Sequence, residues 1–169
     1  MSNTDLLIRQ SLSTDFNEIF DIWLIGQQSS LNIELSIDEA EKYKERLKKL
    51  FVEQDDNFKF FVATANNEII GWQYLMPTEN NPWLRNLVAE SSTYVRRDYV
   101  NSGVGVSLIK KAMKSAKSSD ICQIVAKVRR ENESVIKMLQ VLGWEIIGET
   151  KAANKKPGVP YFIYLIYQV

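Results

Sequence analysis

The chain contains no histidine. That removes a histidine general base, a histidine-centred triad and a histidine metal site in one step. Its only cysteine is Cys122. No disulfide can close within the chain, a thiolate zinc site lacks ligands, and one unpaired thiol fits a reducing cytoplasm. Net charge is missing too. The 169 residues carry 21 Lys and Arg against 21 Asp and Glu, so bulk charge points to neither nucleic acid nor a membrane surface. No apolar run approaches the ~20 residues that span a bilayer. Met1, Ser2, Asn3, Thr4 and Asp5 lack the basic-then-apolar order of a secretory signal. Repeats, low-complexity tracts and linkers are absent as well. The expectation is a single domain over residues 1–169, cytoplasmic, with no nucleic-acid or membrane partner.

What is present is alternating helix and strand periodicity. Residues 6–9 read as a strand. Phe16, Ile19, Phe20 and Trp23 recur at helical spacing, with Asp15 in the first turn and Gly26 as a stop. Residues 27–35 read as a polar connection. Ser36 followed by Glu39 is a capping box, opening a helix whose apolar face is Ala40, Tyr43, Leu47, Leu50 and Phe51. Residues 58–65 and 68–76 read as strands joined at Asn66-Asn67, a pair that tolerates positive φ. Residues 77–82 break the pattern. Ala89-Glu90-Ser91-Ser92-Thr93-Tyr94-Val95 is a strand, and a helix starts near Gly103 with Val104, Leu108, Ala112, Met113 and Ala116 on one face. Lys110, Lys111, Lys114 and Lys117 form its solvated side. Residues 121–128 read as a strand buried on both faces, which would enclose Cys122 and disqualify it as an acyl carrier. Asn132 caps a helix with Val135, Ile136, Leu139 and Leu142 inward, and Gly143 ends it. Residues 144–150 and 161–167 read as the last strands, with 151–160 a loop between them. The order β-α-α-β-β-β-α-β-α-β-β specifies an α/β arrangement on a mixed sheet.

The strand–turn–helix around Gly103 has the makings of an anion site. The first turn of a helix offers unpaired N–H groups at the positive end of its dipole, and glycine lets a phosphate come close. The turn Val100-Asn101-Ser102-Gly103-Val104-Gly105 resembles the Gln/Arg-x-x-Gly-x-Gly/Ala signature of the GNAT N-acetyltransferase superfamily, with Val100 in place of the polar first residue. The segment Asn132 to Trp144 resembles the second family pattern, Asn-x-x-Ala-Ile-x-Leu-Tyr-x-x-Leu-Gly-Phe, matching at Asn132, Ile136, Leu142 and Gly143. The resemblance covers essentially the whole chain. It implies the GNAT fold: a mixed, mostly antiparallel twisted sheet of about seven strands flanked by four helices. It also implies acetyl-CoA as cofactor and CoA as product. The N–H groups from Val100 through Asn101, Ser102, Gly103, Val104, Gly105 and Val106 would hold the diphosphate. Asn132 would reach the pantetheine, beside its ordinary role as an N-cap.

The catalytic expectations follow from the same resemblance. Glu90-Ser91-Ser92-Thr93-Tyr94-Val95 is similar to the Glu-His-Ser-x-Tyr-Val segment of phosphinothricin-type amino-acid N-acetyltransferases. Amine acetylation needs an uncharged amine, and a carboxylate can take the proton, so Glu90 is the candidate base. It also reads as a solvated carboxylate at a strand start. An N–H near Thr93, Tyr94 or Val95 would face the oxyanion, and the same strand would pair with pantetheine amides. Leu139 stands where many relatives carry the tyrosine that protonates the leaving thiolate. Tyr94 is the candidate substitute, with a sheet aromatic as the plain alternative. Arg85 could fork onto an acidic acceptor, and Trp72 with Tyr74 could wall its pocket. A surface arginine and core packing are the plain readings of those three. Gln168 keeps the subgroup's ending, whereas Ile163 replaces its acidic residue.

The reading is therefore an acetyl-CoA-dependent N-acetyltransferase that transfers acetyl directly to a primary amine, most simply a small molecule such as an amino acid. Related enzymes suggest a homodimer. The alternatives are a protein-amine acceptor, or a catalytically weak acyl-CoA-binding module.

Overall fold

Asn66 and Asn67 set the central hairpin. Their φ angles are 52° and 64°, the doubly positive pair of a tight turn whose twist suits two antiparallel strands. They join β2 (Phe60–Ala65) to β3 (Glu68–Pro77), in register from Ala65↔Glu68 to Phe60↔Tyr74 with one irregularity at Ala63/Thr64. The computed structural model describes residues 6–31, 35–78, 81, 83–150 and 161–169, without the side chains of 29–31. Within it the hairpin lies in a seven-stranded sheet of order β1-β2-β3-β4-β5-β7-β6. The other strands are β1 (Leu7–Gln10), β4 (Val88–Val95), β5 (Gln123–Arg129), β6 (Glu145–Glu149) and β7 (Phe162–Gln168). Every neighbouring pair is antiparallel except β4 and β5, which run parallel. Helices α1 (Phe16–Leu31), α2 (Ile37–Val52), α3 (Val104–Ala116) and α4 (Glu133–Val141) complete the expected order.

Strand alternation divides the helices between the two faces. Trp72 and Tyr94, paired across β3 and β4, face α1. Phe60 and Tyr74 stack beside them at 3.9 Å, and Phe51 of α2 packs on Phe60 at 5.2 Å. Gly71, one position along, faces α3. A Cβ there would meet Leu108 at 3.3 Å and the Tyr94 carbonyl at 2.9 Å. That approach lets α3 sit low on the sheet. Trp144 follows α4 and packs against Tyr167 at 5.7 Å. The core is thus two apolar layers, with the fully buried Ile19, Phe58, Phe60 and Val62 in one part and Leu108, Ile124 and Leu165 in another.

Three expectations are corrected. Gly26 does not stop α1, which runs on to Leu31 and takes in most of the supposed connection. Its missing side chain serves a contact instead: a Cβ at Gly26 would lie 3.0 Å from Tyr94 Cδ1. The strand near 121–128 begins at Gln123 and is not buried on both faces. Ile124, Ala126 and Val128 are buried, while Gln123, Val125 and Lys127 are not. Cys122 precedes the strand and is exposed. The capping box of α2 forms as expected, Ser36 Oγ accepting from the Glu39 N–H at 3.3 Å and Glu39 from the Ser36 N–H at 3.0 Å. The loop at 151–160 lies outside the described residues, as does Pro82. Among the described residues no helix is long and apolar enough to cross a membrane.

Asp15 ties β1 to the start of α1. Its carboxylate takes two hydrogen bonds from Arg9, at 2.6 and 3.1 Å, and one from the Leu12 N–H at 2.6 Å. Burial opposes ionisation of Asp15, but the Arg9 and Leu12 hydrogen bonds and the Arg9 charge together hold it below the usual carboxylate range. Its stabilisation is therefore present above about pH 4 and is lost as pH falls through the depressed folded value. Asp15→Ala should lower unfolding free energy at pH 7 by about 2 kcal/mol and flatten the acid limb, both read from urea unfolding across pH.

Candidate active site

The parallel ladder between β4 and β5 stops early. It runs from Val88↔Gln123 to Ser91↔Ala126, although β4 continues to Val95 and β5 to Arg129. Beyond Ser91 the two strands splay. The direction of the main chain at the splay follows from the ladder on the other side of β4. Arg96 donates to the Ile70 carbonyl at 2.8 Å and Thr78 to the Val88 carbonyl at 3.4 Å. This places Glu90, Ser92 and Tyr94 in the rungs whose main chains face β3. The Leu87 carbonyl accepts from Gln123 of β5, so odd-numbered residues face β5. Thr93 and Val95 therefore turn their N–H and C=O groups into the splay. From β5 the Lys127 carbonyl faces the same opening, its N–H being taken by the last rung of the ladder, Ser91↔Ala126.

The head of α3 stands next to this opening. Asn101 has φ 65° and Gly103 φ 87°; Gly103 occupies the N-cap position and no side chain caps the helix. Nothing lies within 4 Å of a Cβ placed on Gly103, and on Gly105 only Val95 Cγ2 at 3.8 Å. Gly103 is thus required by its backbone angle. Neither glycine is required by packing against protein, so both leave open surface in front of the first-turn amides. The Ser107 N–H is the first to close an intrahelical bond, to the Gly103 carbonyl at 3.0 Å. The N–H groups of Val104, Gly105 and Val106 precede it. Two members of the expected loop are engaged elsewhere. Val100 N–H donates to Arg97 at 3.2 Å and Ser102 N–H to Tyr99 at 3.3 Å, both closing the short turn at Arg97–Tyr99. An anion here would be held by the later amides and the helix dipole.

Glu90 lies one residue before the splay, between Met76 of β3 and Val125 of β5. It is half-buried and shares the α1 face with Ser92 and Tyr94. No ion pair among the described residues involves it. Tyr94 stacks on Trp72 at 4.7 Å and accepts a hydrogen bond from Gln27 Nε2 at 2.7 Å. Burial raises its phenol above the ordinary value, the Gln27 and Trp23 hydrogen bonds partly offset this, and the Glu90 charge adds to the rise. With its oxygen accepting, its own proton is free to be donated elsewhere. Tyr74 is pushed up likewise, by burial first and then by the charge of Asp55, with Arg85 opposing.

The remaining expected residues are placed as follows. Trp72 and Tyr74 share a face but are 1% and 2% exposed, so they underlie the site as core. Trp72 Nε1 is nevertheless a buried donor with no protein acceptor among the described residues, which makes it a place for a water or a ligand oxygen. Arg85 is held rather than free. Its guanidinium lies over the Phe58 ring at 5.1 Å and 3.4 Å from Asp55 Oδ2. Asn132 is at the start of α4 and exposed, but its side chain caps nothing. With ψ at 58° its Oδ1 turns to accept from Ser134 Oγ at 3.1 Å. Leu139 is buried at 2%. Sequence reasoning missed Gln27 and Asp55, whose roles depend on partners 67 and 30 residues away. A separate groove of about 330 Å³, lined in part by Lys59, Lys111, Lys114 and Asp56, lies at the far end of α3. It coincides with the lysine face of that helix and not with Glu90.

A family model described as acetyltransferase (GNAT) domain matches residues 8–162. Among solved structures, a ribosomal-protein-alanine N-acetyltransferase from Brucella melitensis superposes with TM-score 0.77 at 18% identity, covering 96% of this chain and 99% of that one. A phosphinothricin acetyltransferase from Sinorhizobium meliloti in complex with acetyl-CoA superposes with TM-score 0.77 at 19% identity, covering 97% and 88%. A GCN5-related N-acetyltransferase from Kribbella flavida gives TM-score 0.77 at 19% identity, covering 97% and 98%. At these identities the likeness to each is one of fold.

The Gln27–Tyr94 contact generates a test of this local structure. Tyr94→Phe should cost about 1 kcal/mol by leaving Gln27 Nε2 without its acceptor. Because Tyr94 and Tyr74 are held protonated, stability in the wild type should fall as pH rises past about 10, where the unfolded phenols ionise. The variant should show a shallower alkaline limb in thermal unfolding against pH.

Proposed function

The chain belongs to the GNAT acetyltransferase family, and from that premise we propose that it transfers acetyl from acetyl-CoA directly to a small primary amine. One observation carries the reading: uncapped amides at the head of α3, the splay of β4 from β5, and Glu90 at its mouth are adjacent. Each fits a different part of such a cofactor. The amides of Val104, Gly105 and Val106 suit a diphosphate. The main-chain groups of Thr93 and Val95 and the Lys127 carbonyl suit an amide-bearing arm laid between the strands as a substitute rung. Bound acetyl-CoA supplies an activated acyl group as a thioester.

The protein's part is positioning and proton transfer. The Thr93 or Val95 N–H, fixed in direction by the β3–β4 ladder, is the candidate donor toward the thioester oxygen. Glu90, ion-paired to no described cation, takes the proton that an alkylammonium must lose before attack. The half-open α1 face of β5 admits the amine beside it. Tyr94, protonated through the neutral range, can only give a proton, and the leaving thiolate is its candidate recipient. Arg85 is a substrate contact only if an acidic acceptor competes with Asp55 for it. The phosphinothricin enzyme among the structural neighbours favours an amino-acid-like amine. The ribosomal-protein-alanine enzyme keeps a protein amine as the second acceptor class.

Thiol release from acetyl-CoA against a panel of amines and N-terminal peptides tests the reading. At least one amine should support turnover, and Glu90→Gln should lower kcat/KM roughly a hundredfold or more. Thermal stabilisation by CoA should persist in Glu90→Gln and amount to about 2.7 kcal/mol at a hundred times Kd. Gly105→Val should shrink it while leaving the free protein folded. CoA binding without turnover on any amine would establish a binding module instead.

A further inference from the structure

Gln73 is a buried amide that the scheme above does not use. It lies in the middle of β3, is 0% exposed, and sits on the α3 face among apolar neighbours. A buried primary amide is costly unless its hydrogen bonds are made. Two of the three go to β4 and one stays on β3. Nε2 donates to Ser91 Oγ at 3.0 Å and to the Tyr74 carbonyl at 3.2 Å, and Oε1 accepts from Thr93 Oγ1.

The partners stand at a particular place. Ser91 is the last residue of β4 paired with β5, and Thr93 is the first residue beyond it whose main chain faces the splay. Gln73 and Thr93 are direct partners across β3 and β4, in a rung that exchanges no main-chain hydrogen bonds. Thr93 therefore has no ladder bond to β3 and no ladder partner on β5. Its side chain, through Gln73, is its lateral tie to the sheet. An apolar residue at 73 would serve the core equally well and would leave Thr93 untied.

We propose that Gln73 is a positioning residue for acyl transfer: by tying the hydroxyls of Ser91 and Thr93 it fixes the Thr93 and Val95 amides that face the splay. The role rests on the acetyl-transfer reading. It predicts that Gln73 governs how well those amides are aimed and not how tightly the cofactor is held, since the diphosphate is gripped at α3.

Two variants test it. Gln73→Met removes the tie at similar volume. Gln73→Leu combined with Ser91→Ala and Thr93→Val replaces the whole network by apolar groups, which can leave stability nearly unchanged. In each, kcat should fall about ten- to a hundredfold, with KM for acetyl-CoA and for the amine changed less than about threefold. Backbone hydrogen exchange at Ser92 and Tyr94, the flanking amides bonded to β3, should quicken at least tenfold in the free protein, while amides in the centre of α3 stay protected. Wild-type kcat in either folded variant, or a loss no larger than the loss of folded protein, overturns the proposal. If the wild type itself turns over no amine, the acetyl-transfer reading fails; unchanged exchange at Ser92 and Tyr94 then overturns the tie as well, and faster exchange there sustains it.

Discussion

A parallel pair of strands that separates inside a sheet leaves main-chain donors and acceptors facing a gap, and the rest of this molecule is arranged around that deficit. Half-buried peptide groups seek partners, and those of Thr93 and Val95 find none in a β4–β5 ladder that ends at Ser91↔Ala126. The sheet tolerates this because each strand is secured on its other side. β4 holds seven rungs with β3, and β5 holds seven with β7. The gap is therefore rigid-walled. A ligand with its own amides can restore what the strands gave up, without any large movement of protein.

The second element is electrostatic and equally local. A chain with no net charge has no long-range field to gather an anion, so attraction has to come from oriented dipoles at short range. The head of α3 supplies them where Gly103 takes its positive φ and no side chain closes the helix. On the other face the aromatic layer of Phe51, Phe60, Trp72, Tyr74 and Tyr94 excludes water from beneath the site. Glu90 thus stands where a wet, open face meets a dry one.

Local chemistry made much of this legible in sequence. The Asn66-Asn67 turn, the Ser36/Glu39 box, the start of α3 and the order of elements all depend on residues within a few positions of one another. The failures were tertiary. Gly26 looks like a stop because glycine is a poor helix former, and only the Tyr94 ring across α1 explains it inside a helix. The apolar run near 121–128 says nothing about which layers cover it; α1 and α2 lie over β2 to β4 and leave one face of β5 uncovered. Asn132 has the right residue type for a cap, but its backbone angle turns the side chain away. Gln73 did leave a trace, a lone amide in the apolar stretch Gly71-Trp72-Gln73-Tyr74-Leu75-Met76 facing Ser91 and Thr93 across one ladder. Reading it needed the register.

The pairing of Arg85 with Asp55 has a consequence for how the loops beside the sheet are held. Asp55 also accepts from the N–H groups of Asn57 and Phe58 at 2.9 and 2.8 Å, so its carboxylate is fastened on the loop before β2. A guanidinium matched to a fixed counterion joins two loops that are distant in the chain. The segment ahead of β4 is thereby held to the segment ahead of β2, and the Phe58 ring under the guanidinium is shielded from one side.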